Sequence, residues 1–244
     1  MKILFIRHGQ TQYNAEYRWL GSTDNPLCEN GKKELLEKKH IIEKYKPIQK
    51  LYCSPMKRCV ETAKIYFEEM NLEILEDLRE RCFGDFEGKK YEELKDNPYY
   101  KEFNKKLWRS NIPNGEDYKE FFERTEKVYL KIIEDTKKNN LNYVAVLSHG
   151  GIIMSILNKF DNKKMSFYDY LVKNGCGFLT EIDEKNNLNI LEKFWFYDFI
   201  NKNKLKNNGI KMNALLILPI SFLMDIFINK FKIDIFAYIK ILFD

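Results

Sequence analysis

Polar and apolar positions along the chain switch repeatedly between short unbroken apolar runs and stretches with helical spacing. Ile3 to Ile6 are continuously apolar, the pattern of a strand covered on both faces of a parallel sheet. Asn14 to Pro26 contains Gly21, Ser22, Asp24, Asn25 and Pro26, the composition of an irregular loop. In Asn30 to Tyr45, Leu35, Leu36, Ile41, Ile42 and Tyr45 recur at helical spacing. Lys50 to Cys53 reads as a second strand. Ser54-Pro55 then predicts a helix start, with Ser at the N-cap and Pro in the first turn, and Met56, Cys59 or Val60, Ala63 and Phe67 on the buried face.

Glu73 to Leu78 predicts a third strand. Leu78 to Gly88, with two glycines and no helical period, predicts a structured loop. Tyr91 to Trp108 is aromatic and charged and suits one or two helices over that loop. Pro113-Asn114-Gly115 breaks the chain before an amphipathic helix from Glu116 that places Phe121, Phe122, Thr125, Val128, Tyr129, Ile132 and Ile133 on one side. Tyr143 to Leu147 is the clearest buried strand. It ends in Ser148-His149-Gly150-Gly151 and passes into a helix over Ile152 to Asn158.

Beyond this alternation the pattern changes. Asn201 to Lys211 is a Lys/Asn linker, and Met212 to Ile228 is largely apolar but interrupted by Pro219 and Asp225. It is a poor bilayer span, for which about 20 apolar residues are needed. The chain divides accordingly into a domain over 1–200, a linker over 201–211 and an apolar, helical appendage over 212–244. Three readings of the appendage stand: packing on the domain or a partner, an amphipathic contact with a membrane surface, or a vestige of a neighbouring reading frame.

The 244 residues suffice for one sizeable core, and 44% hydrophobic with 32% charged residues describes a globular chain rather than a disordered one. The net charge of +5 is spread over interleaved Lys and Glu, a solvated surface that does not call for nucleic acid. Five cysteines, odd in number and without a C-x-x-C pair, together with a start that lacks a cleavable leader, point to the reducing cytoplasm. Three histidines, none paired at ligand spacing, argue against a metal site.

Candidate chemistry collects at strand ends. Arg7-His8-Gly9 follows the first strand, at the sheet edge where open α/β sheets bind ligands; by itself it reads equally well as a solvated Arg and a capping His. Arg58 falls in the first turn of a helix that begins at another strand end, where dipole and guanidinium both favour an anion. His149 repeats the His-Gly strand end. Two of three histidines in equivalent positions suggest one shared site, whereas His40, among Lys and Glu, reads as surface.

Taken together, Arg7-His8-Gly9, Ser54-Pro55 with Arg58 and Glu61-Thr62-Ala63, Leu78-Arg79-Glu80 with Phe83-Gly84 and Glu87-Gly88, Pro113-Asn114-Gly115-Glu116, and Ser148-His149-Gly150-Gly151 resemble the histidine phosphatase superfamily, also called phosphoglycerate mutase-like, over residues 1 to 197. The resemblance implies a three-layer α/β/α sandwich with a mostly parallel central sheet. It implies His8 as the nucleophile that accepts the phosphoryl group and Glu80 as the proton donor to the leaving oxygen. Arg7, Arg58 and His149, helped by Asn14, would hold the phosphoryl oxygens. Two guanidiniums and an imidazole donor can neutralise the equatorial oxygens without Mg²⁺, so no cofactor or metal is implied. A nucleophilic imidazole must be neutral, and an acid Glu must hold a proton, which a nearby phosphate dianion favours.

Departures from the family pattern sharpen the reading. Leu20 stands where Gln is common before Gly21 and hints at a more apolar leaving group, and Cys28 stands where a capping Thr is usual, which implies a lost cap. Cys82 reads as a small buried residue rather than a redox sensor. The short span from Glu80 to His149, with Trp108-Arg109 as the one hint of an extra basic contact, favours hydrolysis of a small phosphate ester over phosphoglycerate mutase activity. The Phe83 to Gly88 run resembles the α-ribazole phosphatases of cobalamin synthesis and their broad-specificity relatives. A non-catalytic phospholigand-binding module is the third alternative. Oligomeric state is open at this level.

Overall fold

A computed structural model describes residues 1–194; the linker and appendage proposed for 201–244 lie outside the described residues. A six-stranded sheet has the order β3-β2-β4-β1-β5-β6. Its strands are β1 (Lys2–Arg7), β2 (Lys50–Cys53), β3 (Leu72–Ile74), β4 (Tyr143–Ser148), β5 (Gly177–Ile182) and β6 (Leu188–Phe194). β1 to β4 run parallel, while β5 lies antiparallel to β1 and β6 antiparallel to β5. Ile3 to Ile6 and Val144 to Leu147 are completely buried, as strands covered on both faces must be.

The helices are α1 (Gln12–Ala15), α2 (Glu29–Glu43), α3 (Lys57–Tyr66), α4 (Tyr91–Leu94), α5 (Pro98–Lys105), α6 (Tyr118–Lys138) and α7 (Gly150–Phe160). The chain steps from β1 to β2 to β3 in one direction along the sheet and from β3 to β4 in the other. Right-handed crossovers therefore put α2 and α3 on one face and α6 on the opposite one. The packing agrees, with α2 against α3 and α6 against α7. The expected three-layer α/β fold is present. A second, mostly aromatic cluster of Trp19, Phe83, Phe86, Leu94, Tyr100, Phe103 and Ile112 forms a cap beside the sheet's main core.

Several local expectations need correction. The 14–26 loop is preceded by a helical turn, α1, which Thr11 caps through its hydroxyl and Asn14 closes through its carboxamide. Ser54 does not cap α3: that helix begins at Lys57 with Met56 at its N-cap, because the Ser54 hydroxyl is engaged elsewhere. β3 stops at Ile74, and Glu76–Leu78 is a 3-10 turn. Cys28 is not a lost cap, since its Sγ accepts the Gly31 amide at 3.3 Å. Strands β5 and β6 were not anticipated. A bulge between Leu179 and Thr180 breaks their alternation, and β6 is an edge strand whose middle is exposed.

Candidate active site

The site grows from the pairing of β1 with β4. Their register sets Arg7 opposite Ser148, and the His8 amide donates to the Ser148 carbonyl at 3.0 Å. The next residues, His8 and His149, thus leave the sheet side by side, with ring centroids 5.2 Å apart at 59°. Both are buried.

His8 Nδ1 lies 2.7 Å from the Gly9 carbonyl, an acceptor only. The ring proton therefore sits on Nδ1, and Nε2 carries the lone pair. Burial, with Arg58 and Arg7 nearby, holds the imidazole well below its ordinary pKa and keeps it neutral. The main chain here is pinned from two sides. Gly9 donates to Thr62 Oγ1 at 2.9 Å, and Thr62 donates to the Arg58 carbonyl at 2.6 Å. From the β5 side, Asn174 Nδ2 donates to the His8 carbonyl at 3.1 Å and to Asn14 Oδ1 at 3.2 Å. Asn14 Oδ1 also accepts from the Thr11 amide and hydroxyl, so its amide nitrogen is the atom that can donate to an anion.

Two guanidiniums flank the histidines. Arg7 donates through Nη1 to the Val172 carbonyl at 2.7 Å, and its buried Nε has no protein partner. Arg58 is completely buried. Its Nη2 donates to the Gly21 carbonyl at 2.8 Å, its Nη1 to the Thr23 carbonyl at 2.9 Å, and its Nε to His149 Nδ1 at 3.3 Å. Gly21 lets its loop close against the 81–87 segment: a Cβ there would lie 2.2 Å from the Arg81 carbonyl oxygen.

The loop that presents those two carbonyls is held by Glu87. One carboxylate oxygen accepts from the Ser22 amide at 2.7 Å, the Ser22 hydroxyl at 2.8 Å and the Phe83 amide at 3.0 Å. The other accepts from the Thr23 amide at 2.8 Å and from the Thr23 hydroxyl. Burial raises the Glu87 pKa, but these bonds, led by Thr23, outweigh it and hold the group below its ordinary value.

His149 Nε2 lies 2.8 Å from Ser54 Oγ, which is why that hydroxyl is not a helix cap. A hydroxyl can accept or donate. The ring can therefore meet Arg58 with an unprotonated Nδ1, or turn an Nδ1–H toward an anion while Ser54 donates to Nε2. Burial and Arg58 keep this imidazole neutral as well.

Glu80 faces the group from the 78–88 loop. Its Oε2 accepts the Gly151 amide at 2.9 Å and its Oε1 the Arg81 amide at 3.0 Å. Burial raises its pKa and outweighs those amides and the charges of Arg58 and Arg7, which act the other way, so the net shift is upward. Ser148 ties the start of that loop to the end of β4 by donating to the Leu78 carbonyl at 2.7 Å.

The structure thus brings Arg7, His8, Asn14, Arg58, Glu80 and His149, all singled out from the sequence, to the carboxyl ends of β1 and β4, with Arg58 bonded to His149 and Asn174 joining His8 to Asn14. Residues that sequence reasoning missed are Thr62, Glu87, Asn174 and the true role of Ser54. Thr62, Glu87 and Ser54 lie inside the family-like motifs, whereas Asn174 carries no signal in the sequence. Arg109 is exposed and stacks over Phe122 at 5.7 Å, which removes the hint of an extra phosphate ligand. Cys82 is half-buried rather than buried, 3.2 Å from Ser22 Oγ. Exposed His40 keeps its surface reading. Among the described residues no group of His, Cys, Asp and Glu could hold a metal ion, and no helix is long and apolar enough to cross a membrane.

Residues 3–191 match the family described as histidine phosphatase superfamily (branch 1). A probable phosphatase of Schizosaccharomyces pombe is 34% identical over 179 residues, covering 69% of this chain and 78% of that protein. An adenosylcobalamin/alpha-ribazole phosphatase of Salmonella typhimurium is 26% identical over 190 residues, covering 75% and 92%. The crystal structure of the alpha-ribazole phosphatase from Shigella flexneri superposes with a TM-score of 0.66 at 24% identity, covering 78% of this chain and 96% of that one, a likeness of fold.

Proposed function

The chain belongs to the histidine phosphatase superfamily, and we propose that it is a metal-independent phosphomonoesterase that works through a phosphohistidine on His8. The observation that carries this reading is the bond from His8 Nδ1 to the Gly9 carbonyl, which leaves Nε2 as the lone-pair nitrogen between Arg7, Arg58 and His149.

Nε2 attacks phosphorus as the ester P–O bond breaks. The charge that appears on the ring is met at Nδ1–H by the Gly9 carbonyl. The phosphoryl oxygens lie among the unpartnered Nε–H of Arg7, the Arg58 guanidinium, the Asn14 amide and an Nδ1–H of His149, a preorganised set aimed at charge that develops in the transition state. The Glu80 carboxyl gives its proton to the departing alkoxide. Its carboxylate then takes a proton from the water that attacks the P–N bond, which releases phosphate and returns the lone pair to Nε2.

Hydrolysis is favoured over phosphoryl return to a bound product because Arg109, the cation that a mutase reading needed, lies over Phe122 on the surface. A phospholigand-binding module would have no use for a dry carboxyl beside the leaving group. Among substrates, α-ribazole 5′-phosphate is the specific candidate, supported by the Salmonella relative.

Rapid-quench capture after a pulse of radiolabelled phosphate ester, in chelator and with an alkaline stop, tests the scheme. One phosphoryl group at His8 in the native chain and none in His8→Ala is the expected result; label retained by His8→Ala places the nucleophile elsewhere. A screen with α-ribazole 5′-phosphate and both phosphoglycerates assigns the alcohol.

A further inference from the structure

We propose that Trp108 is a positioning residue of the acid step: held in place by Arg81, its indole closes over the Glu80 carboxyl and keeps water from it. This rests on Glu80 being the acid, as proposed above.

The two groups meet at one point of α7. A Cβ built on Gly151 would lie 2.4 Å from Glu80 Oε1 and 2.6 Å from Trp108 Cζ3, so only a glycine lets carboxyl and indole close on the same spot. Trp108 is wedged by Phe83 at 5.3 Å, Phe103 at 5.5 Å and Phe167 at 5.8 Å between ring centroids. The backbone beneath it is strained. Leu107 and Trp108 both adopt positive φ, 49° and 70°, a conformation that bulky side chains enter only when the surroundings impose it.

Arg81, the residue after the acid, supplies the constraint. It is completely buried, stacked between Phe103 and Phe121 at 5.7 and 5.8 Å. It donates to main-chain oxygens: Trp108 at 2.8 Å, Ser110 at 2.8 Å and Glu116 at 3.1 and 3.3 Å. A fork of this shape fixes the 108–116 loop in a way that a Lys point charge would not. The chain that carries the acid thereby also anchors the wall that covers it.

The wall matters because of what surrounds Glu80. Arg7 on β1, Arg58 on α3, the guanidinium of Arg81 and the amides of Gly151 and Arg81 all favour the carboxylate. The other titratable groups here are the Cys59 thiol on α3, which burial keeps uncharged, and the His8 and His149 rings, held neutral by burial and the two guanidiniums. Exclusion of water is the force that opposes these cations, and the half-buried indole meets the carboxyl at Gly151.

The test compares Trp108→Leu with the native full-length chain on two esters across pH. p-Nitrophenyl phosphate releases a phenolate that leaves without a proton, whereas glycerol 2-phosphate releases an alkoxide that needs one. Opening the wall is expected to lower kcat/KM for the alkyl ester at pH 7 by about tenfold or more. The aryl ester should stay within about twofold, and the basic limb of the alkyl-ester profile, which reports the acid, should move to lower pH. Equal loss on both esters, or an unmoved basic limb, overturns the proposal and leaves Trp108 as core packing. Trp108→Phe, which keeps an aromatic filler, provides the same comparison if the Leu variant does not fold; a smaller but selective loss supports the proposal and an equal loss overturns it. If instead Glu80→Gln leaves alkyl-ester hydrolysis intact, the acid assignment itself has failed.

Discussion

Substitution of Glu87 provides the sharpest prediction, because this carboxylate touches no reacting atom of the proposed scheme and yet holds the loop that anchors Arg58, the proposed phosphate clamp. Its five donors come from Ser22, Thr23 and Phe83, and the same loop turns the Gly21 and Thr23 carbonyls onto Arg58. In Glu87→Gln one oxygen becomes an NH₂ group. The less costly orientation keeps the remaining oxygen on Ser22 and Phe83, which hold three of the bonds, and sets the NH₂ against the Thr23 amide. The Thr23 hydroxyl can turn to accept; the backbone N–H cannot. The chain at Thr23 must then move, and with it one of the two carbonyl anchors of Arg58. A hydrogen bond to a charged group contributes about 1.5–3 kcal/mol, so the clamp should weaken by about 10- to 160-fold.

We therefore expect kcat/KM on p-nitrophenyl phosphate to fall by that factor in Glu87→Gln and further in Glu87→Ala, with inhibition by inorganic phosphate weakened in parallel. The basic limb of the pH profile should not move, since Glu80 is untouched. Activity and phosphate inhibition within twofold of the native chain in a folded Glu87→Gln protein would refute the coupling of Glu87 to Arg58.

Two further outcomes follow from the buried histidines. Ser54→Ala leaves His149 Nε2 with only the weak Cys59 Sγ contact at 3.5 Å and removes the hydroxyl that lets the ring turn an N–H toward an anion, so phosphate inhibition should weaken about tenfold, the lower end of the range for a poorly met buried polar group; an unchanged inhibition constant would show that the ring does not depend on Ser54. Stability should fall as pH drops below 6.5, because His8 and His149 are held neutral in the folded chain while the unfolded chain binds a proton at each near its ordinary pKa. The slope is at most about 1.4 kcal/mol per pH unit for each histidine. Glu80, with its raised folded pKa, acts in the opposite sense and only between its ordinary and its raised value. Urea unfolding at pH 7.5, 6.5 and 5.5 measures the sum, and a midpoint that rises on acidification would contradict buried neutral imidazoles.

What the sequence determined by itself was local and periodic. The apolar runs Ile3 to Ile6 and Val144 to Leu147 read as strands covered on both faces, and such strands place Arg7-His8 and His149 at one edge of a parallel sheet. The helical period over Glu116 to Ile133 likewise left little choice. Tertiary structure decided everything that depends on partners distant in the chain. Whether Ser54 caps a helix or serves His149, 95 residues away, cannot be read from its neighbours, because both uses suit a Ser before Pro. The antiparallel strands β5 and β6 were hidden because a bulge and an exposed edge erase the two-residue period. Glu87 and Arg81 looked like ordinary charges. They acquired their roles only when folding closed the Gly21–Thr23 loop over one and the Trp108–Glu116 loop over the other, since a buried charge is defined by the groups that replace its water, and those come from elsewhere in the chain.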